Sequence, residues 1–263
     1  MLSPLNAILA GLLQGLLEWL PVSSSGQITL FLAGLFGYSV TEAYGISLFL
    51  HFGTLVSAIV FFYRDVLAAI KGLLTLRFNP ITRLWIFTTL FSLLVGYPIY
   101  VLYNRIAVGL NLDIISVLIG VSLVIIGLLL MRTPGSGNKK LDDMTLRDYL
   151  FLGIAQGIAV LPGVSRSGVT ILVLLLLGFS SWEAVRTSFL ASIPVIFIAS
   201  LFAGLTEGIV LEYTSLLALF SAFIAGIIGI AIMALLSRRL PLYYFSIAAG
   251  VMVLVITVPA LFF

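Results

Sequence analysis

Apolar residues run along this chain in long blocks, broken by short polar loops. Six blocks reach or nearly reach the length of about 20 residues that a helix needs to cross hydrocarbon. They cover roughly 44–63, 84–103, 114–131, 185–204, 213–236 and 243–262. Charged loops separate most of them. Loop 64–83 carries Arg64, Asp65, Lys71, Arg77 and Arg83, and loop 132–148 carries Arg132, Pro134, Gly135, Gly137, Lys139, Lys140, Asp142, Asp143, Arg147 and Asp148. Two further apolar regions break the pattern. Region 4–37 is interrupted by Pro21-Val22-Ser23-Ser24-Ser25-Gly26, and region 149–179 by Pro162-Gly163-Val164-Ser165-Arg166-Ser167-Gly168. The arm after each break has about 10 residues and reaches only ~15 Å, half the hydrocarbon thickness. Each region therefore reads as a re-entrant helical hairpin with its tip at membrane depth. Irregular backbone there is tolerated only where it is buried in protein or lines a wet cavity.

The two interrupted regions are copies. Residues 14–26 align without gaps on residues 156–168, with Gln14/Gln156, Gly15/Gly157, Val22/Val164, Ser23/Ser165, Ser25/Ser167 and Gly26/Gly168 identical. One deletion later, Gly37, Ser39, Glu42 and Ala43 match Gly178, Ser180, Glu183 and Ala184. Each repeat is one hairpin plus three spans, and an odd number of spans starts the second repeat on the opposite face. The expected fold is an all-α polytopic membrane protein with inverted repeats, each one re-entrant helical hairpin plus three transmembrane helices. That makes six full spans and two hairpins around a midplane site. Residues 1–263 form one membrane domain: repeat 1 over 1–131, a connecting loop over 132–148, and repeat 2 over 149–263.

Composition agrees. The chain is 62% hydrophobic and 9% charged, against about 25% charged in a soluble domain. Residues 1–20 lack the basic start of a cleavable signal peptide. The absence of cysteine excludes disulfide and thiolate chemistry, and the single histidine, His51, excludes a multi-histidine zinc site. Of the 13 Lys and Arg residues, Arg166 sits in a hairpin tip and Arg105 on one side. The remaining Arg64, Lys71, Arg77, Arg83, Arg132, Lys139, Lys140, Arg147, Arg186, Arg238 and Arg239 fall on the other. Positive loops stay cytoplasmic, so both termini are expected outside. The first hairpin then dips in from outside and the second from the cytoplasm.

Ionisable groups at membrane depth are costly and point to function. Glu18, His51 and Arg166 qualify. Gln14 precedes Glu18 by one helical turn and faces the same way. Ser23, Ser24, Ser25, Ser165, Ser167 and Thr170 add hydroxyls, while Gly26, Gly163 and Gly168 let backbone approach a ligand. Arginine, hydroxyls and helix N-termini near residues 27 and 169 together form a phosphate cradle. Glu18 and Gln14 beside a diphosphate suit Mg²⁺ or Ca²⁺, and a cradle serine becomes a nucleophile if a base activates it. Plainer readings stand beside these. Small residues also pack membrane helices, Glu18–Arg166 also reads as a structural pair, and His51 mid-span reads as a packing histidine. Gln156 reads as an echo of the repeat, and Trp85, Tyr100, Tyr103, Tyr213 and Tyr243 as interfacial anchors. Loop 64–83 reads as a solvated or headgroup-facing stretch.

With these motifs the chain resembles the undecaprenyl-pyrophosphate phosphatase family, also known for bacitracin resistance. Gln14-Gly15-Leu16-Leu17-Glu18 matches its Glu/Gln-x-x-x-Glu motif, residues 21–26 its Pro-x-Ser-Ser-(Ser/Thr)-Gly run, and residues 162–170 its Pro-Gly-x-Ser-Arg-Ser-x-x-Thr motif. The resemblance covers the whole chain. It implies removal of the terminal phosphate of undecaprenyl diphosphate at the outer face of the plasma membrane, recycling a lipid carrier for cell-wall polymers. It also implies a divalent cation (Mg²⁺ or Ca²⁺) held by Glu18 and Gln14, and a catalytic group of Glu18, Ser24 and Arg166 with Ser24 as nucleophile. Substrate binding falls to Gln14, Ser23, Ser25, Gly26, Gln27, Gly163, Ser165, Ser167 and Thr170. Partners are a polyprenyl diphosphate and membrane lipids, with no nucleic acid; the oligomeric state is open.

One position departs. The family usually has histidine after the glycine of the first motif, where this chain has Gln27. Glutamine is neither base nor nucleophile at neutral pH. Either Ser24 and Glu18 suffice, or the chain is slow, or it does something else with the same lipid. A polyprenyl-phosphate transporter or flippase fits the midplane site equally well.

Overall fold

A computed structural model describes residues 3–107, 111–133, 136–161, 163–206 and 212–260. Pro134, Gly135, Pro162 and the end of the expected span 243–262 lie outside the described residues. Eleven α-helices and one 3₁₀ turn make up the described residues: α1 Pro4–Glu18, α2 Ser24–Phe36, α3 Val40–Phe61, α4 Tyr63–Leu74, α5 Pro80–Ala107, α6 Leu112–Met131, α7 Leu146–Ile158, α8 Arg166–Leu176, α9 Ser181–Thr206, α10 Tyr213–Leu236 and α11 Tyr243–Ala260.

Their boundaries follow from local chemistry. Ser3 caps α1 by accepting from the Asn6 amide at 3.2 Å, and Pro4 fills the first helical position, where no donor is lost. Pro21 disfavours helix at Leu20, and Ser23 takes a left-handed φ of 60°, so the chain turns before α2. Gly37 (φ 70°) closes α2, and a reciprocal Ser39–Glu42 capping box opens α3. In the second half Thr145 and Asp148 cap α7 reciprocally, with Lys139 Nζ 2.7 Å from Asp148. Gly163 (φ 93°) turns the chain, and Ser165 caps α8.

Five helices are long and apolar enough to cross a membrane: α3, α5, α6, α9 and α10. The chain is a multi-pass membrane protein. The span helices start about four residues before the sequence blocks in α3, α5 and α9, because capping residues and a leading Pro80 carry helix out past the apolar stretch. The expected sixth block forms α11, whose 18 described residues fall short of those five. Helices α1, α2, α7 and α8 have 15, 13, 13 and 11 residues, too short to span. They pair as α1 with α2 and α7 with α8, forming two helical hairpins.

Loop 64–83, expected as a solvated or headgroup-facing stretch, is in part helical. Residues 63–74 fold into α4, which buries Val66, Ala69 and Gly72 and leaves Leu67, Ile70, Leu73 and Leu74 exposed. Arg64, Asp65 and Lys71 interrupt the apolar run without interrupting helical periodicity, and that hid the helix. Arg186 in the first turns of α9 grips Asp65 through two bonds of 2.9 and 3.0 Å, joining α9 to α4.

Small residues set the closest helix contacts, as they do where lipid supplies no hydrophobic drive. Helix α1 lies along α10, where a Cβ on Gly15 would meet the Ala222 carbonyl at 2.5 Å. Helix α7 lies along α5 through Gly153 and Gly157 against Ser92 and Gly96. Helix α6 lies along α11, with a Cβ on Gly250 only 2.7 Å from the Gly120 carbonyl. The outer surface is apolar, with Leu94, Leu118, Phe220 and Ile256 all well exposed.

Candidate active site

The two hairpin tips meet at the centre of the helix bundle. The Gly163 amide would lie 3.3 Å from a Cβ on Gly26, and both glycines pack against Ile119 of α6. Breaking two helices here leaves carbonyls without helical partners, and side chains from other helices take them. Ser167 Oγ donates to the Leu20 carbonyl at 2.8 Å, and Ser246 Oγ of α11 to that of Pro21 at 2.6 Å. Ser122 Oγ of α6 donates to the Gly163 carbonyl at 2.6 Å, and the Tyr44 hydroxyl of α3 donates to that of Val160. Ser246, Ser122 and Tyr44 had no signal in the sequence, being ordinary hydroxyls far along the chain from the tips they hold.

Glu18, the last residue of α1, is the hub. Its Oε2 accepts from Gln14 Nε2 at 2.9 Å and from Ser24 Oγ at 2.6 Å, and lies 2.9 Å from His51 Nε2. Its Oε1 pairs with Arg166 Nη2. The structure thus brings together Gln14, Glu18, Ser24 and Arg166, residues from both halves of the chain. The Arg166 guanidinium also sits 5.7 Å above the Trp19 ring, itself edge-on to Phe189 at 4.7 Å. Its Nη1 is buried without a partner, as are Ser23 Oγ and Gln14 Oε1. Helices α2 and α8 begin at Ser24 and Arg166, so two N-terminal dipole ends lie at the site.

These groups line a cavity. Glu18, Ser23, Ser24, Ser25, His51, Ser165, Arg166 and Ser167 form its polar wall. Leu93 and Tyr97 of α5 and Ile198 and Phe202 of α9 also line it, and all four are exposed on the apolar outer surface, Tyr97 by 61%. The cavity therefore opens sideways between α5 and α9. Gln156, the counterpart of Gln14, lines it too, bonding Ser92 Oγ at 3.0 Å while its Oε1 stays unpartnered.

Other expected site residues sit behind the wall. Gln14 is fully buried behind Glu18. The Gln27 amide turns back to the Val22 carbonyl at 3.4 Å. Thr170 Oγ1 bonds the Arg166 carbonyl and Ser188 Oγ, each at 2.7 Å. Ser165, part of the wall itself, accepts from the Gly168 amide at 3.2 Å. Gly26 and Gly163 serve the close approach of the tips. His51 sits against the carboxylate of Glu18, where packing alone was the plainer expectation; the signal for it was its rarity at mid-span.

A divalent cation needs oxygen ligands. Among the described residues no cluster of three or more His, Asp or Glu side chains is present. The oxygens of that kind are the Glu18 carboxylate on the wall and the unpartnered Gln14 Oε1 behind it. Both Glu18 oxygens already have partners, so Mg²⁺ or Ca²⁺ would displace some of them and take the rest of its shell from phosphate.

Comparison with known proteins adds to this geometry. The family model described as bacitracin resistance protein BacA matches residues 7–255. A Methanococcoides burtonii protein named undecaprenyl-diphosphatase is 35% identical over 260 residues, covering 96% of this chain and 97% of that protein. A like-named protein of Sulfurisphaera tokodaii is 30% identical over 263 residues (97% of each chain), and one of Pyrobaculum aerophilum 37% over 209 residues (77% of each). With paired tip motifs, a shared hub at Glu18 and these matches along nearly its whole length, the chain belongs to the bacitracin resistance protein BacA family.

Proposed function

We propose that this protein is an undecaprenyl-diphosphate phosphatase, a hydrolase that removes the terminal phosphate of a polyprenyl diphosphate. The observation that carries it is the Ser24 hydroxyl held 2.6 Å from the Glu18 carboxylate, beside Arg166, in a cavity that opens sideways onto an apolar surface. That shape suits a charged head with a hydrocarbon tail. Undecaprenyl-diphosphatase is also the name its relatives carry.

The chemistry follows from the contacts. Ser24 Oγ attacks the terminal phosphorus while its proton passes to Glu18 Oε2. The bond from phosphorus to the bridging oxygen breaks, and polyprenyl monophosphate leaves, taking up that proton. Water then attacks the phosphoserine phosphorus and gives a proton to Glu18; the bond from phosphorus to Ser24 Oγ breaks, inorganic phosphate leaves, and Oγ takes that proton from Glu18. Arg166 clamps the diphosphate with its unpartnered Nη1, joined by Ser23, Ser25 and Ser165 and by the starts of α2 and α8, while the Ser167 hydroxyl stays on the Leu20 carbonyl. Glu18 and Gln14 would hold a divalent cation, whose contribution would be to neutralise phosphate charge.

The site is read as lying at the outer face of the plasma membrane, where it recycles a lipid carrier for cell-wall polymers. This reading takes the chain as two inverted repeats with six spans, α11 being the sixth. Arg186, at the start of α9, pairs with Asp65, just past the end of α3, so these counterparts run in opposite directions. The pairing of α1 with α10 and of α7 with α5 has the same symmetry. Arg238 over the Trp182 ring at 4.8 Å gathers more of the eleven cations at that end, which is read as cytoplasmic.

Phosphate release from farnesyl or undecaprenyl diphosphate by purified protein tests the reading. Release that EDTA suppresses and Mg²⁺ or Ca²⁺ restores is expected; release undiminished by EDTA removes the cation from the account. A second reading, a polyprenyl-phosphate transporter, is favoured by one observation: Gln156, the repeat counterpart of Gln14, lines the same cavity as Glu18. Movement of polyprenyl phosphate between leaflets of proteoliposomes, with no phosphate released, would replace the enzyme.

A further inference from the structure

The geometry points to His51 as a positioning residue that holds Glu18 ready to take the proton of Ser24. This rests on the phosphatase reading and extends it to a residue outside both tip motifs. His51 comes from mid-α3, and its side chain is 13% exposed, at the cavity wall. Its Nδ1 lies 2.6 Å from the Ser47 carbonyl, which only accepts, so Nδ1 carries a hydrogen. Its Nε2 lies 2.9 Å from Glu18 Oε2, and two bare acceptors repel at that distance. A hydrogen therefore lies between Nε2 and Oε2, whichever atom formally owns it.

The ring is thus clamped at both ends, by α3 backbone and by Glu18, so Oε2 is held within reach of Ser24 Oγ at 2.6 Å. The Gln27 amide, turned to the Val22 carbonyl, gives Glu18 no such support.

The test uses the full-length protein in detergent. His51→Phe keeps a ring but no donor, while His51→Gln places an amide N–H near the former Nε2. With farnesyl diphosphate, His51→Phe should lower kcat on the order of 10- to 100-fold, the usual cost of losing a group that orients a reacting one, with KM changed little. His51→Gln should recover most of that loss. Wild-type kcat in folded His51→Phe overturns the proposal, and so does an equal loss in both variants with raised KM. A second readout needs no turnover and no His51 variant. His51 is the only histidine, so [¹⁵N]histidine labelling gives one ring. Glu18→Gln should move its Nε2 resonance while Nδ1 stays protonated; an unmoved Nε2 resonance overturns the contact. If wild type releases no phosphate, the enzyme reading fails, and the nitrogen spectrum still decides whether His51 engages Glu18.

Discussion

Glu18 is buried at membrane depth, where an isolated carboxylate is costly, yet it is met by four partners. Arg166 is the one whose geometry matters most, because a planar fork meets two oxygens at once and a lysine cannot. Arg166→Lys should keep the fold and the charge but lose a charge-assisted bond worth about 1.5–3 kcal/mol, or roughly 10- to 100-fold in kcat/KM for farnesyl diphosphate. Full activity in a well-folded Arg166→Lys protein would sink the clamp. Glu18, Arg166 and the tip serines were legible in the sequence because charge and hydroxyl clusters are rare in apolar runs. His51 was visible but its partner was not, since α1 and α3 meet only in three dimensions.

Among the helices, close approach depends on missing side chains. A Cβ on Gly250 would lie 2.7 Å from the Gly120 carbonyl and 2.9 Å from the Val124 amide, both backbone and unable to yield. Gly250→Val should therefore destabilise by about 1–3 kcal/mol of overpacking, read as a lowered unfolding temperature in detergent. An unchanged temperature would mean α6 and α11 are free to separate there. The broken helices make a second case. Ser246→Ala leaves the Pro21 carbonyl buried and unpaired, a cost of about 1–3 kcal/mol that should loosen the tip bearing Ser24. Faster hydrogen exchange confined to residues 18–27 is the expected sign; unchanged exchange there would show that the tip holds without α11. Helix existence was legible from apolar runs and capping residues, whereas α4 was hidden by its charges. The hydroxyls of Ser122, Ser246 and Tyr44 were hidden because only the fold brings them to the tips.

For the whole molecule, the repeat of residues 14–26 in 156–168 was legible because identical spacing survives without knowledge of the fold. The sideways opening between α5 and α9 was not, because nothing in either apolar block marks which face is left uncovered. Orientation is open to direct test: single cysteines replacing Lys71 and Arg105, both exposed, should label from opposite faces with an impermeant reagent. Labelling of both from one side would contradict the inverted arrangement. In the proposed reaction Ser24, activated by Glu18, takes the terminal phosphate of a lipid diphosphate. Phosphate release from undecaprenyl diphosphate by wild type and Ser24→Ala, paired with binding of the same lipid to each, tests it most directly. Wild type should release phosphate and Ser24→Ala none, with similar affinity in both, the pattern of a group used only in the transition state. Release by Ser24→Ala at the wild-type rate would contradict it.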